Sequence, residues 1–531
     1  MLCPDDQTII AQCTPRGSGA IALLRISGVN AIEIAQKISQ LASAKELIKE
    51  PSHTIHYGSI INPFASIERE ARVERSPFGL SGLHRPERGE IIDKAMILLM
   101  RGPKTFTGQD TVEITCHNNQ FIIEQIIHCA ILAGARLAQE GEFTKRAVLN
   151  GKIDLVQAEA INELIHAQTQ IALKQSLSQL TGSFSQLLTN LEKDLLKALA
   201  LSEASFEFLD EEMEFAPQIQ HIIASVQEAI VAIKKTFNQQ QQIRQGIRIA
   251  IIGSVNAGKS SLFNALLNQD RAIVNAIAGT TRDSIEAGLY KNGNYWTLVD
   301  TAGLRQTDDI IEQEGIRRSF EEAQKADIIL LASDSSRSMT DEENKVYTQI
   351  QEQYPNKIIL IGTKADYLEA PTLRSSHPSS SYGGQAGRLL LSLPKDQGER
   401  GEKLTCDVMP NSNSRSARGE LVEPFERNII SVSSKNKQNI DMLEQLIENK
   451  IATLFAGIES PFLLNQRQHN LLVALENKLV EIILMLNAQP VAYELLSIHL
   501  NDAIAHLAEL SGKQISEAGM DAIFREFCIG K

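Results

Sequence analysis

The chain has 531 residues, more than one hydrophobic core organises, so several domains are expected. It has 43% hydrophobic and 22% charged residues, and its six scattered cysteines show neither CxxC nor zinc spacing. No apolar run approaches the ~18 residues of a membrane span, and no N-terminal signal segment is recognised. Together these features predict a cytoplasmic globular protein. The net charge of −13 argues against a protein that binds nucleic acid without a partner, because such surfaces are usually basic.

Residues 1–149 mix strand-like runs, turns and one helical pattern. Strands are predicted at 21–28, 94–103 and 111–117, and an amphipathic helix at 121–135 that stops at Gly134. This mixture predicts an α+β domain. The segment at about 68–89 is rich in Arg, Ser, Gly and Pro and has no periodicity, so we predict a solvated insertion there.

Long helices are predicted on both sides of the middle of the chain, at 150–243 and at 456–531. In both segments apolar residues recur every three or four positions. We expect the two segments to build one discontinuous helical domain, with the intervening residues inserted between its halves. Two separate bundles are the alternative.

Residues 244–455 alternate strand-like and helical patterns, which is typical of a doubly wound, mostly parallel sheet. Strands are predicted at 247–253, 295–303, 327–334, 357–363 and 428–434. Residues 371–427 are again rich in Ser, Gly, Arg and Pro. Because so long a loop is abnormal inside a compact domain, we predict a second insertion.

The run from Gly253 to Ser260 matches the phosphate-binding pattern GxxxxGK[ST], after a strand and at the start of a helix, as that pattern requires. Its glycines let backbone N–H groups surround phosphates. Lys259 would reach the β- and γ-phosphates and Ser260 would bind Mg²⁺. The run 300–303 (Asp-Thr-Ala-Gly) ends a later strand, where this fold contacts magnesium and the γ-phosphate. Thr281, between the two motifs, is a second candidate magnesium ligand.

Base recognition is predicted at 363–366 (Thr-Lys-Ala-Asp), after another strand. Asp366 can accept two hydrogen bonds from guanine N1 and N2, which adenine cannot supply. Thr363 stands where Asn is usual, which removes an amide able to brace the P-loop unless a hydroxyl or a water takes its place. The run 433–435 (Ser-Ser-Lys) resembles the segment that supports the base. The four motifs in order predict GTP binding.

The residue that orients the attacking water is not the usual one. Ras-type GTPases place a glutamine directly after the DxxG motif, and here that position is Leu304. Leucine cannot orient water, so another residue must. The acidic stretch that follows offers four candidates, and its residue types do not choose among them: Asp308, Asp309, Glu312 and Glu314.

Motifs from every part of the chain together resemble one family. They are TPRGSGAIALLRISG at 14–28, FTGQDTVEITCH at 106–117, GEFTKRAVLNGKIDLVQAEAI at 141–161, the nucleotide motifs, and FCIGK at 527–531. Over nearly its full length the chain resembles the tRNA-modification GTPase family MnmE, also called TrmE. The resemblance implies an N-terminal α+β folate-binding domain that dimerises, a discontinuous helical domain and an inserted P-loop G domain. Asn118 and Asn119 depart from the two glycines usual in the family.

The resemblance also implies an activity. Members work with the flavoprotein MnmG (GidA) as a heterotetramer and form a carboxymethylaminomethyl-type modification at the wobble uridine of certain tRNAs. A tetrahydrofolate derivative, 5,10-methylene- or 5-formyl-tetrahydrofolate, carries the carbon, and FAD and NADH belong to the partner. K⁺ and Mg²⁺ would assist GTP hydrolysis.

Site residues follow by matching motif positions. The resemblance implies a catalytic Glu312, and Mg²⁺ ligands Ser260 and Thr281. The implied K⁺ ligands are Asn256, Asn275, Ile277 and Thr280, and the implied folate contacts are Arg25, Glu113, Lys152 and Lys531. The implied GTP contacts are Asn256, Ala257, Gly258, Lys259, Ser260, Ser261, Asn275, Ala276, Ile277, Ala278, Gly279, Thr280, Thr281, Asp300, Thr301, Ala302, Gly303, Thr363, Lys364, Ala365, Asp366, Ser433, Ser434 and Lys435. Cys528 is a catalytic thiol or a buried structural cysteine.

Two other functions are alternatives. A regulatory or ribosome-assembly GTPase explains the G domain but leaves Arg25, Lys152 and the C-terminal tail without a purpose. A folate-dependent one-carbon transferase acting on a protein explains those residues but not the G domain. Loss of the wobble modification on deletion of the gene would favour the tRNA-modifying enzyme.

Overall fold

The computed structural model describes residues 7–17, 19–64, 90–207, 215–235, 237, 240–268, 285–301, 311–367, 429–456, 461–527 and 530. The chain divides into two compact units, the first comprising 1–246, 291–295 and 455–531, the second 247–290 and 296–454. Both predicted insertions, at 68–89 and 371–427, lie outside the described residues. In the described part of the chain, no helix combines the length and apolar character needed to cross a bilayer.

A seven-stranded sheet forms the N-terminal part of the first unit. Its strands are β1 Ile9–Gln12, β2 Ile21–Ser27, β3 Ser39–Leu41, β4 Thr54–Asn62, β5 Glu90–Met100, β6 Thr111–His117 and β7 Arg136–Leu137. Their order is β3-β4-β5-β6-β2-β1-β7, with neighbours antiparallel apart from the parallel pair β1 and β7. The three predicted strands are confirmed, although the one expected at 94–103 begins at Glu90.

Two helices cover one face of this sheet, α1 Ala31–Ile38 and α2 Gln120–Leu132. Alternate residues of β2, such as Leu24 and Ile26, enter the core beneath them, which leaves Arg25 on the opposite face. The helix predicted at 121–135 is confirmed. It begins after Asn119, whose side chain accepts the Phe121 N–H at 2.9 Å.

The rest of the first unit is helical. After the sheet come α3 Glu142–Leu149, α4 Leu155–His166, α5 Gln170–Leu180, α6 Ser183–Glu207, α7 Ala216–Lys234 and α8 Gln240–Gln245. Helix α4 starts at a capping box in which Asp154 and Gln157 each hydrogen-bond the backbone of the other.

The second unit is a six-stranded sheet with helices between its strands. Its elements are β8 Ile247–Gly253, α9 Lys259–Asn268, β9 Ile285–Lys291, β10 Asn294–Asp300, α10 Ile311–Lys325, β11 Ile328–Asp334, α11 Asp341–Gln353, β12 Ile358–Thr363, β13 Ile430–Ser431 and α12 Ile440–Phe455. The strand order is β13-β12-β11-β8-β10-β9. The five predicted strands are confirmed, although β13 has only two residues, and β9 was not predicted.

Parallel pairing brings the nucleotide motifs together. Strand β8 is parallel to β10 and β11, and β12 is parallel to β11 and β13. The carboxyl ends of all five strands therefore lie at one edge, where ligands bind in open α/β sheets.

Three helices after the second unit complete the helical part of the first: α13 Gln466–Leu486, α14 Tyr493–Ser511 and α15 Glu517–Phe524. One hydrophobic core contains residues from both halves, for example Leu195 of α6, Ile223 of α7, Leu475 of α13 and Leu500 of α14. The discontinuous helical domain is thus confirmed, and the alternative of two separate bundles is wrong.

Candidate functional site

The P-loop connects β8 to α9 through backbone conformations that its sequence permits. Gly253 pairs with Ala332 of β11, and a Cβ on Gly253 would lie 2.2 Å from the Ala332 carbonyl oxygen. Asn256 and Gly258 are left-handed, with φ of 62° and 78°. Glycine and asparagine are the residues that accept this conformation most easily, so the left-handed positions of the loop fall on residue types that suit them.

Lys259 is the cation of this loop. Its ammonium donates to the carbonyl oxygens of Gly253 at 2.9 Å and Ser254 at 2.7 Å, and the residue is only 6% exposed. Burial lowers the pKa of Lys259, and the Asp300 carboxylate acts in the opposite direction. A phosphate at the loop would add more negative charge and favour the ammonium form. The hydroxyl-bearing residues that follow, Ser260 and Ser261, are exposed.

Asp300 lies at the end of β10, beside the strand that leads into the P-loop. It pairs with Ile251 and is 1% exposed. The next residue, Thr301, donates its hydroxyl to the Ile251 carbonyl oxygen at 2.9 Å. The aspartate and the P-loop therefore share one edge of the sheet, where a carboxylate can hold Mg²⁺ through water.

Thr363 takes over the bracing expected of an asparagine. Its hydroxyl lies 2.7 Å from the Ala257 carbonyl oxygen and 2.9 Å from that of Ser333. The side chain is 2% exposed, and a Cβ on Gly258 would lie 3.3 Å from the Thr363 Cβ. The threonine thus contacts the P-loop directly, and its hydroxyl substitutes for the missing amide.

The two base-recognition segments are adjacent. The Ser433 hydroxyl donates to Asp366 Oδ1 at 2.8 Å, and the Ala365 N–H donates to the Val432 carbonyl oxygen at 3.1 Å. Ser434 and Lys435 occupy the turn that follows Ser433. A carboxylate held in this way from one side can accept further hydrogen bonds, as recognition of guanine requires.

Lys364, between the two ends of the predicted base-recognition run, has a left-handed backbone with φ of 59°. Its ammonium lies 2.6 Å from Asp334 Oδ2 at the end of β11. Burial acts to raise the pKa of Asp334, but hydrogen bonds from Lys364 and Ser336 outweigh it and lower that pKa to about 2. This ion pair ties β12 to β11 next to the site.

Several predicted site residues lie outside the described part of the chain. They are Asn275, Ala276, Ile277, Ala278, Gly279, Thr280, Thr281, Ala302, Gly303, Cys528 and Lys531. The backbone of Glu312 lies in the first turn of α10, but the described side chains do not include it. The water-orienting group, one folate position, one magnesium position, three potassium positions and the thiol thus stay predictions.

A second group of predicted residues meets on the sheet of the first unit. Arg25 of β2 and Glu113 of β6 are cross-strand partners, and two guanidinium nitrogens of Arg25 lie 2.8 Å from Glu113 Oε1. The guanidinium carbon also lies 5.8 Å and 5.4 Å from the ring centres of Phe106 and Phe143. Both charged side chains stay partly accessible, at 18% and 16%. The sequence analysis predicted Arg25 and Glu113 as separate folate contacts, but it did not predict that they pair with each other.

Lys152, in the connection between α3 and α4, contacts the separate loop that carries Phe106. Its ammonium donates to the Pro103 carbonyl oxygen at 2.8 Å, and the Asn150 amide donates to the Thr107 carbonyl oxygen at 2.7 Å. Arg146 donates to Gln109 Oε1 at 3.0 Å. These contacts fix the loop beside Arg25. Phe106, Arg146 and Asn150 were not singled out from the sequence, although all lie within the family motifs.

Gly530, in the C-terminal motif, lies against the same sheet. Gly530 has a φ of 93°, and a Cβ there would lie 2.3 Å from the Gln12 carbonyl oxygen at the end of β1. The preceding Phe527 is buried against Phe524, with ring centres 5.0 Å apart. Only glycine fits this approach. Since Ala11 of β1 pairs with Arg25, the tail arrives close to the charged pair.

Comparison with known proteins gives two family matches and many relatives. The family model described as the MnmE helical domain matches residues 155–528, and that described as the GTP-binding protein TrmE N-terminus matches residues 8–152. A protein of Streptococcus gordonii is 34% identical over 100% of both chains. Proteins of Geobacillus kaustophilus and Acetivibrio thermocellus are 34% and 31% identical, each over 99% of both chains. All three bear the name tRNA modification GTPase MnmE.

Proposed function

The chain belongs to the MnmE family of tRNA modification GTPases, and on that premise we propose that it forms a carboxymethylaminomethyl-type modification at the wobble uridine of certain tRNAs. It would do so in the cytoplasm, in a heterotetramer with the flavoprotein MnmG (GidA), which brings FAD and NADH. GTP is hydrolysed by the P-loop unit, and a tetrahydrofolate derivative supplies the carbon. The regulatory GTPase leaves the Arg25–Glu113 pair without a role, and the protein-directed transferase leaves the P-loop unit without one.

The Arg25–Glu113 pair supports the folate part of the proposal most strongly. A switch GTPase has no use for this partly accessible charged pair. Arg25 Nε lies 2.8 Å from Glu113 Oε1, and the guanidinium lies near two aromatic rings. Both residues are far in sequence from the nucleotide motifs. The pair fits a folate chemically. Arg25 and Lys152 can bind the carboxylates of its glutamate, while Glu113 can accept hydrogen bonds from pterin N–H groups. Lys531, next to Gly530, would add a third cation.

For hydrolysis we assign each role to a residue of the second unit. Lys259 and the P-loop N–H groups would hold the phosphates, and Ser260 and Thr281 would bind Mg²⁺. Glu312 would orient the attacking water in place of the absent glutamine. Potassium at Asn256, Asn275, Ile277 and Thr280 would supply the positive charge that an arginine finger supplies elsewhere, worth about 10³–10⁵ in rate. The exposed Ser260 and left-handed Asn256 are compatible with these roles.

A homodimer through the N-terminal sheet is also proposed. The face opposite α1 and α2 exposes Ile21 at 61%, Ile55 at 63%, Tyr57 at 52% and Met96 at 44%. Tyr57 and Met96 are cross-strand partners, so these side chains share a face. Contiguous exposed apolar side chains of this kind mark interaction surfaces. A second copy would cover them.

The test of the proposed function is the nucleoside content of tRNA. Deleting the gene should remove the modified wobble uridine, and the wild-type chain should restore it. The Arg25→Met variant should not restore it, although it still hydrolyses GTP. Unchanged wobble uridine in the deletion strain, together with defective ribosomal subunits, would instead identify a ribosome-assembly GTPase.

A further inference from the structure

Tyr347 lies on α11, outside every nucleotide motif, yet its hydroxyl reaches the P-loop. The side chain is 4% exposed and belongs to the core of the second unit. Its hydroxyl oxygen accepts the Ser254 N–H at 2.9 Å, and its proton is donated to the Ala332 carbonyl oxygen at 2.7 Å. Because a phenol has a single proton, the two bonds fix the direction of the hydroxyl. Tyr347 thereby links the first turn of the P-loop to β11.

The first glycine of the motif makes room for this link. A Cβ on Gly253 would lie 2.2 Å from the Ala332 carbonyl oxygen and 3.1 Å from the Tyr347 hydroxyl. Any side chain at this position would push both groups away from the loop. In this chain, Gly253 therefore serves the tyrosine contact as well as the turn.

The peptide between Gly253 and Ser254 is held on both sides. Its N–H points to Tyr347, and its C=O accepts from the Lys259 ammonium at 2.9 Å. The N–H and C=O of a trans peptide point in opposite directions, so fixing one fixes the other. Without the tyrosine hydroxyl, this peptide can rotate and carry away one of the two carbonyl oxygens that hold Lys259.

We propose that Tyr347 is a positioning residue for nucleotide binding, which holds the Gly253–Ser254 peptide in the orientation that keeps the Lys259 ammonium at the phosphates. It touches no substrate itself. The inference rests on nucleotide binding by this P-loop. It concerns affinity more than the chemical step, because Tyr347 is not among the residues proposed to orient the attacking water.

The test is Tyr347→Phe in the full-length chain, with Tyr354→Phe as the matched control. Tyr354, at the end of the same helix, contacts Lys357 instead of the P-loop. We expect Tyr347→Phe to weaken binding of a fluorescent GDP analogue, and to raise KM for GTP, by about threefold to tenfold, the effect of one net hydrogen bond. The kcat should change by less than about twofold, and the control should match the wild type.

Unchanged GDP affinity and KM in Tyr347→Phe would overturn the proposal, even if the variant melts at a lower temperature, because that pattern reports a structural role alone. Hydrogen exchange of the wild-type chain gives a test that needs no variant. The Ser254 amide should be protected without nucleotide, and exchange at the rate of an open loop would contradict the contact. Failure of the wild-type chain to bind the GDP analogue would instead refute GTP binding itself.

Discussion

The hydroxyl of Thr363 lies 2.7 Å from the carbonyl oxygen of Ala257, so the last residue of β12 is hydrogen-bonded to the middle of the P-loop. The same hydroxyl is 2.9 Å from the Ser333 carbonyl oxygen of β11. Because the Thr363 hydroxyl has one proton for two carbonyl acceptors, it satisfies fewer acceptors than the side-chain amide of asparagine would. The guanine-recognition segment and the phosphate loop are nevertheless joined through it.

Replacing Thr363 by valine keeps the shape and removes this bond. A buried carbonyl without its donor costs about 1–3 kcal/mol, so we expect urea unfolding to show a loss of that size. GDP affinity should fall by about threefold to tenfold. Thr363→Ser keeps the hydroxyl and serves as the control, and Thr363→Asn should bind GDP at least as tightly as the wild type. Wild-type affinity in Thr363→Val would mean that water braces the loop.

Glu312→Ala should abolish GTP hydrolysis and leave GTP binding intact, because only the orientation of the attacking water is lost. The measurement is single-turnover hydrolysis beside affinity for a non-hydrolysable GTP analogue. Glu314→Ala, two residues along the same helix, is the matched control and should turn over normally. Normal turnover in Glu312→Ala, with loss in the control, would transfer the role to Glu314.

Potassium should stimulate GTP hydrolysis strongly and sodium should not replace it, because the proposed function assigns the charge-stabilising role to potassium. Asn256→Gly tests the ligand role without straining the loop, since glycine tolerates the φ of 62° at this position. We expect this variant to bind GDP but to lose the response to potassium. Equal hydrolysis rates of the wild type in the two salts would rule out the metal role of Asn256.

Arg25→Met and Glu113→Gln should each weaken binding of 5-formyl-tetrahydrofolate by tenfold or more, measured by calorimetry. Loss of the Arg25 guanidinium removes charge-assisted hydrogen bonds to the ligand. In Glu113→Gln, one of the two acceptor oxygens of the carboxylate is replaced by an NH2 group that cannot accept. Lys145→Met breaks another ion pair of this unit, to Asp521 at 2.6 Å, and serves as the control. Intrinsic GTP hydrolysis should be unchanged in all three. Wild-type folate affinity in both site variants would locate the folate elsewhere.

The sequence predicted elements whose patterns are local. Strand β8 and the helices that carry Leu475 and Ile223, α13 and α7, have clear hydrophobic patterns, and they form as expected. Strand β9 escaped notice because IEAGLYK contains alanine and glycine, which favour strands weakly. The Asn292-Gly293 turn after it, with φ of 47° and 80°, was the available signal.

Contacts between distant segments could not be predicted. The pairing of Arg25 with Glu113 depends on the register of β2 and β6, and no local pattern specifies that register. Tyr347 looked like an ordinary core residue, since nothing in α11 indicates that its hydroxyl faces Ser254. Asn119 stands where the family usually has glycine, yet its φ of −116° is accessible to any residue, and its side chain caps α2.

The shared core of the two helical segments also sets an order on protein synthesis. Ile223 and Leu195 leave the ribosome well before Leu475 and Leu500, which they pack against. At typical translation rates the delay is on the order of ten to fifty seconds. During that time the early helices expose the apolar faces that α13 and α14 later cover, while the nucleotide unit is being synthesised. The nascent chain is therefore a client for chaperones that shield such faces, and a stop codon soon after α12 would yield a folded nucleotide unit attached to an aggregation-prone stump.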